Sequence, residues 1–190
     1  MTIQTQFKTK NQIYKDFKTF TETALTDFGL KNWSVKKLHQ IIKTEELKPT
    51  VFIQILSKRQ YGSEYRFNLK VSEPLKDTQY NKKYNTKQVV NIRFSATRRE
   101  LITDTAQTFN GVDVLTLIRQ YFQSLNGITM FSNQGYAQYR ATNVQEQSFT
   151  NDDENIQLMP YFDCEFVYTD SWQTQINKLE TVIEIYKKGV

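Results

Sequence analysis

Apolar positions recur along this chain with two periods, and the switches between them mark the elements. Between residues 11 and 28, Ile13, Phe17, Phe20, Ala24 and Phe28 fall three or four apart with Lys15, Asp16, Lys18, Glu22 and Asp27 between them, which predicts an amphipathic helix. Thr9 followed by Gln12 resembles a capping box, and Gly29 suits the left-handed residue that ends a helix. A polar stretch with Trp33 and His39 leads to Pro49. There the β-branched and aromatic run from Val51 to Leu56 predicts a strand. The spacing of Tyr61, Tyr65 and Phe67 carries that strand past Lys58 and Arg59, with Gly62 as a candidate bulge. Glu73 to Lys87 reads as a loop or a long, frayed hairpin end.

Val90, Ile92, Phe94 and Ala96 then alternate with Asn91, Arg93, Ser95 and Thr97, the clearest strand in the chain. Asn110 and Asp113 suit a helix start. Val114, Leu117, Ile118, Tyr121, Phe122 and Leu125 continue as one apolar stripe that stops at Asn126-Gly127. Tyr136 to Phe149 can supply another strand, with Asn151 to Asn155 as a polar turn. Phe162, Cys164, Phe166 and Tyr168 alternate again, as do Leu179, Thr181, Ile183 and Ile185. Four or five mostly consecutive strands with two or three helices predict an α+β fold, a mostly antiparallel sheet with the helices on one face. The helix stripe of Val114, Leu117, Ile118, Tyr121 and Phe122 should cover Ile92, Phe94, Phe162 and Phe166.

Composition changes this picture in three ways. The length of 190 residues and the absence of repeats or linkers predict one domain spanning 1–190, and an aromatic content of 14% excludes a disordered chain. The single cysteine and the lack of an apolar secretion signal or of a long apolar run predict a soluble protein folded in the cytoplasm, without a membrane partner. Charge is segregated: residues 1–150 hold 22 Lys and Arg against 12 Asp and Glu, residues 151–190 hold 3 against 8, so the two stretches carry about +10 and −5. Such a division steers association with nucleic acid, or of one copy with the next.

Candidate chemistry is sparse. His39 is the sole histidine, which leaves no triad arrangement and no multi-histidine metal site, and it reads as structural. Cys164 shares the inward-reading face of Phe162 and Phe166 and reads as a small core hydrophobe. Asp152-Asp153-Glu154 lacks the spaced oxygen ligands of a calcium loop, and no phosphate-binding or dinucleotide motif runs through the six glycines. The reading is therefore a non-enzyme with no catalytic residue, cofactor or metal. Lys58-Arg59, Lys82-Lys83 and Arg98-Arg99, with Tyr61, Tyr80 and Tyr84 interleaved, keep sequence-independent nucleic-acid binding as the alternative function.

Three segments, KPTVFIQILSKRQYGSEYRF (48–67), FSATRRELITDTAQTFNGVDVLTLIRQYF (94–122) and GYAQYRATNVQEQSFTNDDENIQLMPYFDCEFVYTDSW (135–172), resemble the neck and tail-terminator proteins of tailed bacteriophages. The resemblance implies a virion structural protein, assembled in the host cytoplasm, that caps the head-proximal end of the tail tube as a hexameric ring. Its implied partners are further copies of itself, the tail tube protein, head-completion and neck proteins and the sheath, with genomic DNA passing through unbound. A channel that lets DNA leave must not retain phosphate. Asp152, Asp153 and Glu154 are accordingly assigned to the channel, and Lys58, Arg59, Arg98 and Arg99 to docking interfaces.

Overall fold

The computed structural model describes residues 4–38, 49–69, 79–97, 109–150 and 156–177. The first helix, α1 (Lys10–Asp27), starts where the Thr9 hydroxyl accepts the Gln12 N–H at 3.1 Å. It ends in a Schellman turn in which Leu30 N–H donates to Leu25 O and Gly29 N–H to Thr26 O, with Gly29 at φ +74°. That φ disfavours any residue with a Cβ, which is why the stop falls on glycine. The buried face is Ile13, Phe17, Phe20, Thr21, Ala24 and Leu25. Phe28, expected to extend it, is 39% exposed. Thr21 is tolerated in the core because its hydroxyl donates to Phe17 O, one turn back.

Among the described residues seven strands form a mixed sheet: β1 (Gln4–Gln6), β2 (Ser34–Lys37), β3 (Thr50–Leu69), β4 (Gln79–Ala96), β5 (Tyr136–Ala141), β6 (Gln145–Thr150) and β7 (Ile156–Asn177). Their order is β1-β7-β4-β3-β2, with β5 and β6 also on β7. The α+β class agrees with expectation, while the strand count exceeds the four or five read from periodicity. β1 and β2 have only three and four residues, too short for a period of two to stand out. β2 runs parallel to β3, Ser34 opposite Thr50. β5 and β6 run antiparallel to β7. Thr97 N–H donates to Thr50 O, so the end of β4 meets the start of β3 and that pair is antiparallel too. β4 begins at Gln79, so of the two readings of 73–87, a loop or a long hairpin end, the part from Gln79 onward is strand at the end of the β3–β4 pair. Its Lys- and Asn-rich sequence has the polarity of a turn, and only pairing reveals the strand.

The described residues fall into two compact units. One comprises the described parts of 1–8, 60–88 and 169–190. Here β1 pairs antiparallel with Ser171–Gln173 of β7, Lys8 N–H donates to the buried Asp170 carboxylate at 3.0 Å, and Tyr84 stacks on Trp172 at 3.8 Å. The other, 9–59 with 89–168, holds all three helices and the main core. Its second helix, α2 (Gly111–Gln123), opens on a capping box in which Asn110 accepts from the Val112 and Asp113 amides and Asp113 accepts from the Asn110 amide.

The stripe of α2 is Val114, Leu115, Ile118, Tyr121 and Phe122. Leu115 takes the buried place expected of Leu117, which is half-buried, because α2 packs on α1 and α3 as well as on the sheet and needs a wider apolar arc than one stripe. The helix does not run on to Asn126-Gly127. Ser124 ends it, with its N–H and hydroxyl both donating to Tyr121 O, and opens α3 (Leu125–Asn133) by accepting from Gly127 N–H. Gly127 therefore starts a helix rather than stopping one. A Cβ there would collide with the Tyr121 carbonyl, so only glycine permits this close turn.

All three helices lie on the sheet face that carries Ile92, Phe94, Phe162, Cys164 and Phe166. Phe17 of α1 is 6.3 Å from Phe94 and 4.5 Å from Phe166, Phe122 of α2 is 5.3 Å from Phe94, and Phe131 of α3 is 4.9 Å from Phe166. Replacing Phe94 or Phe17, both fully buried, by Ala should cost about 3 to 5 kcal/mol, read as a lower denaturant midpoint. A variant as stable as the parent would contradict the packing.

Two tyrosines tie α1 to its neighbours: Tyr121 donates to Asp27 at 2.6 Å and Tyr136 to Asp16 at 2.8 Å. Burial, and then the Asp27 carboxylate, push the Tyr121 hydroxyl from the usual 10 up to about 12. Burial likewise pushes the Cys164 thiol from 9 up to about 12. In both, the folded state holds the proton more tightly than the unfolded state. Their contributions are thus complete below the unfolded values and are lost as pH rises through 9 to 12. Denaturant midpoints should fall over that window, and Tyr121→Phe should lose about 1.5 kcal/mol at neutral pH while showing a smaller alkaline decline. An unchanged alkaline slope in Tyr121→Phe would refute this coupling.

Candidate functional site

The positions assigned to a site from sequence are only partly within the described residues. Lys58 and Arg59 lie near the middle of β3 and engage β7. Lys58 Nζ sits 5.3 Å from the Tyr168 ring, and Arg59 reaches Glu165 at 3.7 Å while its own side chain is 68% exposed. An ion pair this open to water contributes about 0 to 1 kcal/mol, so Arg59 remains available to a partner. Arg98, Arg99, Asp152, Asp153, Glu154 and His39, like the Leu179–Ile185 segment, lie outside the described residues.

Arg93 and Asp163 instead compensate each other. On the sheet face away from the helices, Arg93 donates to both oxygens of Asp163 at 2.8 and 3.0 Å while its guanidinium lies 4.1 Å from the Tyr161 ring. Each group there is spent on structure. Cys164 is fully buried with its thiol accepting from Gln138 Nε2 at 3.6 Å, and burial keeps it from ionising, which removes nucleophilic character. Among the described residues no three His, Cys, Asp or Glu side chains converge to hold a metal ion.

The feature that stands out is apolar and lies on α3. Phe131 anchors this short helix, with its ring 5.0 to 5.1 Å from Phe122 and Phe20, and Gly127 is buried at the turn. With those two inward, the helical period forces Leu125 and Ile128 outward, and they are 79% and 49% exposed. Shallow grooves flank the ridge. One runs along α1 past Thr19 and Thr23, and one along β5 past Ser132 and Gln138. Phe28 adds further apolar surface where it packs on Tyr121 at 5.9 Å.

Residues 120–139 contain no Asp, Glu, Lys or Arg, although at the chain's charged fraction of 24% twenty residues would hold about five. The ridge itself is therefore neutral, with Asn, Ser and Thr as its polar groups, while at one rim the Asp27 carboxylate lines the groove beside Ser124 and Asn126 and accepts the Tyr121 hydroxyl. Interface cores are depleted of charge in this manner. Periodicity alone had placed Leu125 in the core and left Ile128 without a role. The charge gap is the sequence signal that marks both.

Exposed apolar side chains of this kind carry no group suited to bond-making chemistry. No curated protein matches the chain. One family model does, that of the E217 gateway protein gp29, over residues 8–178. A match over most of the chain places the protein in the E217 gateway protein gp29 family, structural proteins of the phage head-to-tail gateway.

Proposed function

We propose that the chain is the subunit of a six-membered ring that caps the head-proximal end of the tail tube and presents a docking face to the head and neck. The family match over residues 8–178 carries this reading, because it assigns the chain to the neck, where the tube must end and the head must attach. The neutral α3 ridge supplies a surface suited to permanent contact, since burying neutral side chains avoids the cost of desolvating charges. Arg59, weakly held and exposed, supports the assignment of Lys58, Arg59, Arg98 and Arg99 to docking interfaces, where charge orients partners. Catalysis has no part in this role. No helix among the described residues is long and apolar enough to cross a membrane, in keeping with a virion component.

Light scattering and negative-stain microscopy test the ring directly. A closed particle of about 135 kDa, six times the 22.5 kDa chain, should form alone or on isolated tail tubes and should attach to one tube end. A monomer under both conditions, with a salt-sensitive shift of random DNA, would instead favour the nucleic-acid-binding alternative.

The acidic residues give a second test. Changing Asp152, Asp153 and Glu154 together to Lys should leave rings and virions intact and slow DNA release, since each added lysine in a channel retains phosphate. Normal release with defective rings would move these residues to an interface.

A further inference from the structure

We propose that the groove at the end of α1, where Asp27 stands, is the seat for Arg59 of the next copy; this rests on the ring reading above. The groove has a volume of about 510 Å³ and is lined by Asp27, Phe28, Gln120, Tyr121, Ser124 and Asn126. Asp27 is the last residue of α1, at the negative end of the helix dipole, where a carboxylate is disfavoured and a cation favoured. No basic residue stands in that last turn. Lys31, the nearest basic residue in sequence, lies past the Gly29 turn and forms no ion pair among the described residues.

The carboxylate is nonetheless held in place. Tyr121 donates to its Oδ2 at 2.6 Å, and among the described residues nothing bonds its Oδ1. A fixed, half-used carboxylate beside the exposed ring of Phe28 suits a guanidinium, which pairs with the oxygen while lying against the ring. Gln120 and Asn126 carry amide oxygens for its remaining N–H groups.

The chain itself offers such a group. Arg59 is 68% exposed and reaches Glu165 at 3.7 Å, longer than a charge-assisted hydrogen bond. Arg140, also exposed, stands directly opposite Glu165 in the β5–β7 register, which puts both side chains on one face of the sheet. One carboxylate therefore serves two guanidinium groups, and the positive excess there matches the unanswered negative charge at Asp27. Arg93 is not available for this, because it holds both oxygens of Asp163. The helix-end groove and the sheet face are unlike surfaces, so a contact between them is heterologous and repeats head to tail around a ring.

Charge reversal in separate chains tests this. Asp27→Lys and Arg59→Glu should each raise the protein concentration needed for half-assembly by about tenfold or more, because each sets like charges against one another at the joint. An equimolar mixture of the two variants should restore the parent's value. In an alternating ring every joint then sets the introduced lysine against the introduced glutamate, or the native Asp27 against the native Arg59. Asp27→Asn keeps an oxygen for the Tyr121 hydroxyl, so it should retain the parent's thermal midpoint and still weaken assembly, which separates loss of the charge from loss of the fold. Single variants that assemble like the parent, or a mixture that assembles no better than either variant, would overturn the joint and leave the ring standing. Rescue of Asp27→Lys by Arg140→Glu but not by Arg59→Glu would overturn Arg59 as the occupant. Asp27→Lys rings that form normally but fail to attach to tubes would also overturn it and assign the groove to the tube. A parent chain that never oligomerises, with or without tubes, would overturn both this joint and the ring.

Discussion

The aromatic core centred on Phe17 is the constraint on which the helical unit depends. Its ring lies 4.5 to 6.3 Å from those of Phe166, Tyr136, Phe20, Phe131 and Phe94, contributed by α1, α3 and three strands. Each such pair adds about 0.5 to 1.5 kcal/mol beyond the burial of its surface, and the rings must keep tilted or offset geometries to do so. Shared rings couple the helices to the sheet: moving one helix disturbs contacts made by the others. The tyrosine–aspartate bonds from Asp16 and Asp27 sit at the margin of this cluster, where the hydroxyls reach partners while the rings stay in the core.

That coupling shapes the surface. Phe131 is drawn into the cluster and Gly127 lets α3 turn sharply off α2, so the nine-residue helix has no freedom to rotate and hide its remaining apolar groups. Exposure of Leu125 and Ile128 follows from core packing one turn away. A monomer would incur the cost of that exposure in water. The family to which the chain belongs acts at the head-to-tail gateway, and burial of these positions against a neighbour there would remove that cost.

Charge has a separate task. The bidentate Arg93–Asp163 pair, with Tyr161 against it, satisfies its members on the sheet face away from the helices. Arg59 instead holds Glu165 loosely in solvent. Tightly paired groups support the subunit; loosely paired ones retain the capacity to orient a neighbour, while the neutral ridge supplies area without electrostatic cost.

Much of this was legible in the sequence. Helix α1 with both its ends, the start of α2, and the alternating strands through Phe94 and Phe166 follow from periods of 3.6 and 2 and from capping residues, because these report local backbone geometry and one-sided burial. The phage resemblance was carried by the segments the family model also spans. Strands β1 and β2 and the start of β4 in a Lys- and Asn-rich stretch depend on pairing partners distant in the chain, which no local period encodes, whereas the break at Ser124 is a local cap on Tyr121 and Gly127 hidden by the apolar stripe that runs through it. The site divides in the same way. The absence of charge from 120 to 139 is a property of the sequence, but whether Leu125 faced the sheet or the solvent was decided in three dimensions, when Phe131 took the inward place and the helical turn left Leu125 outside.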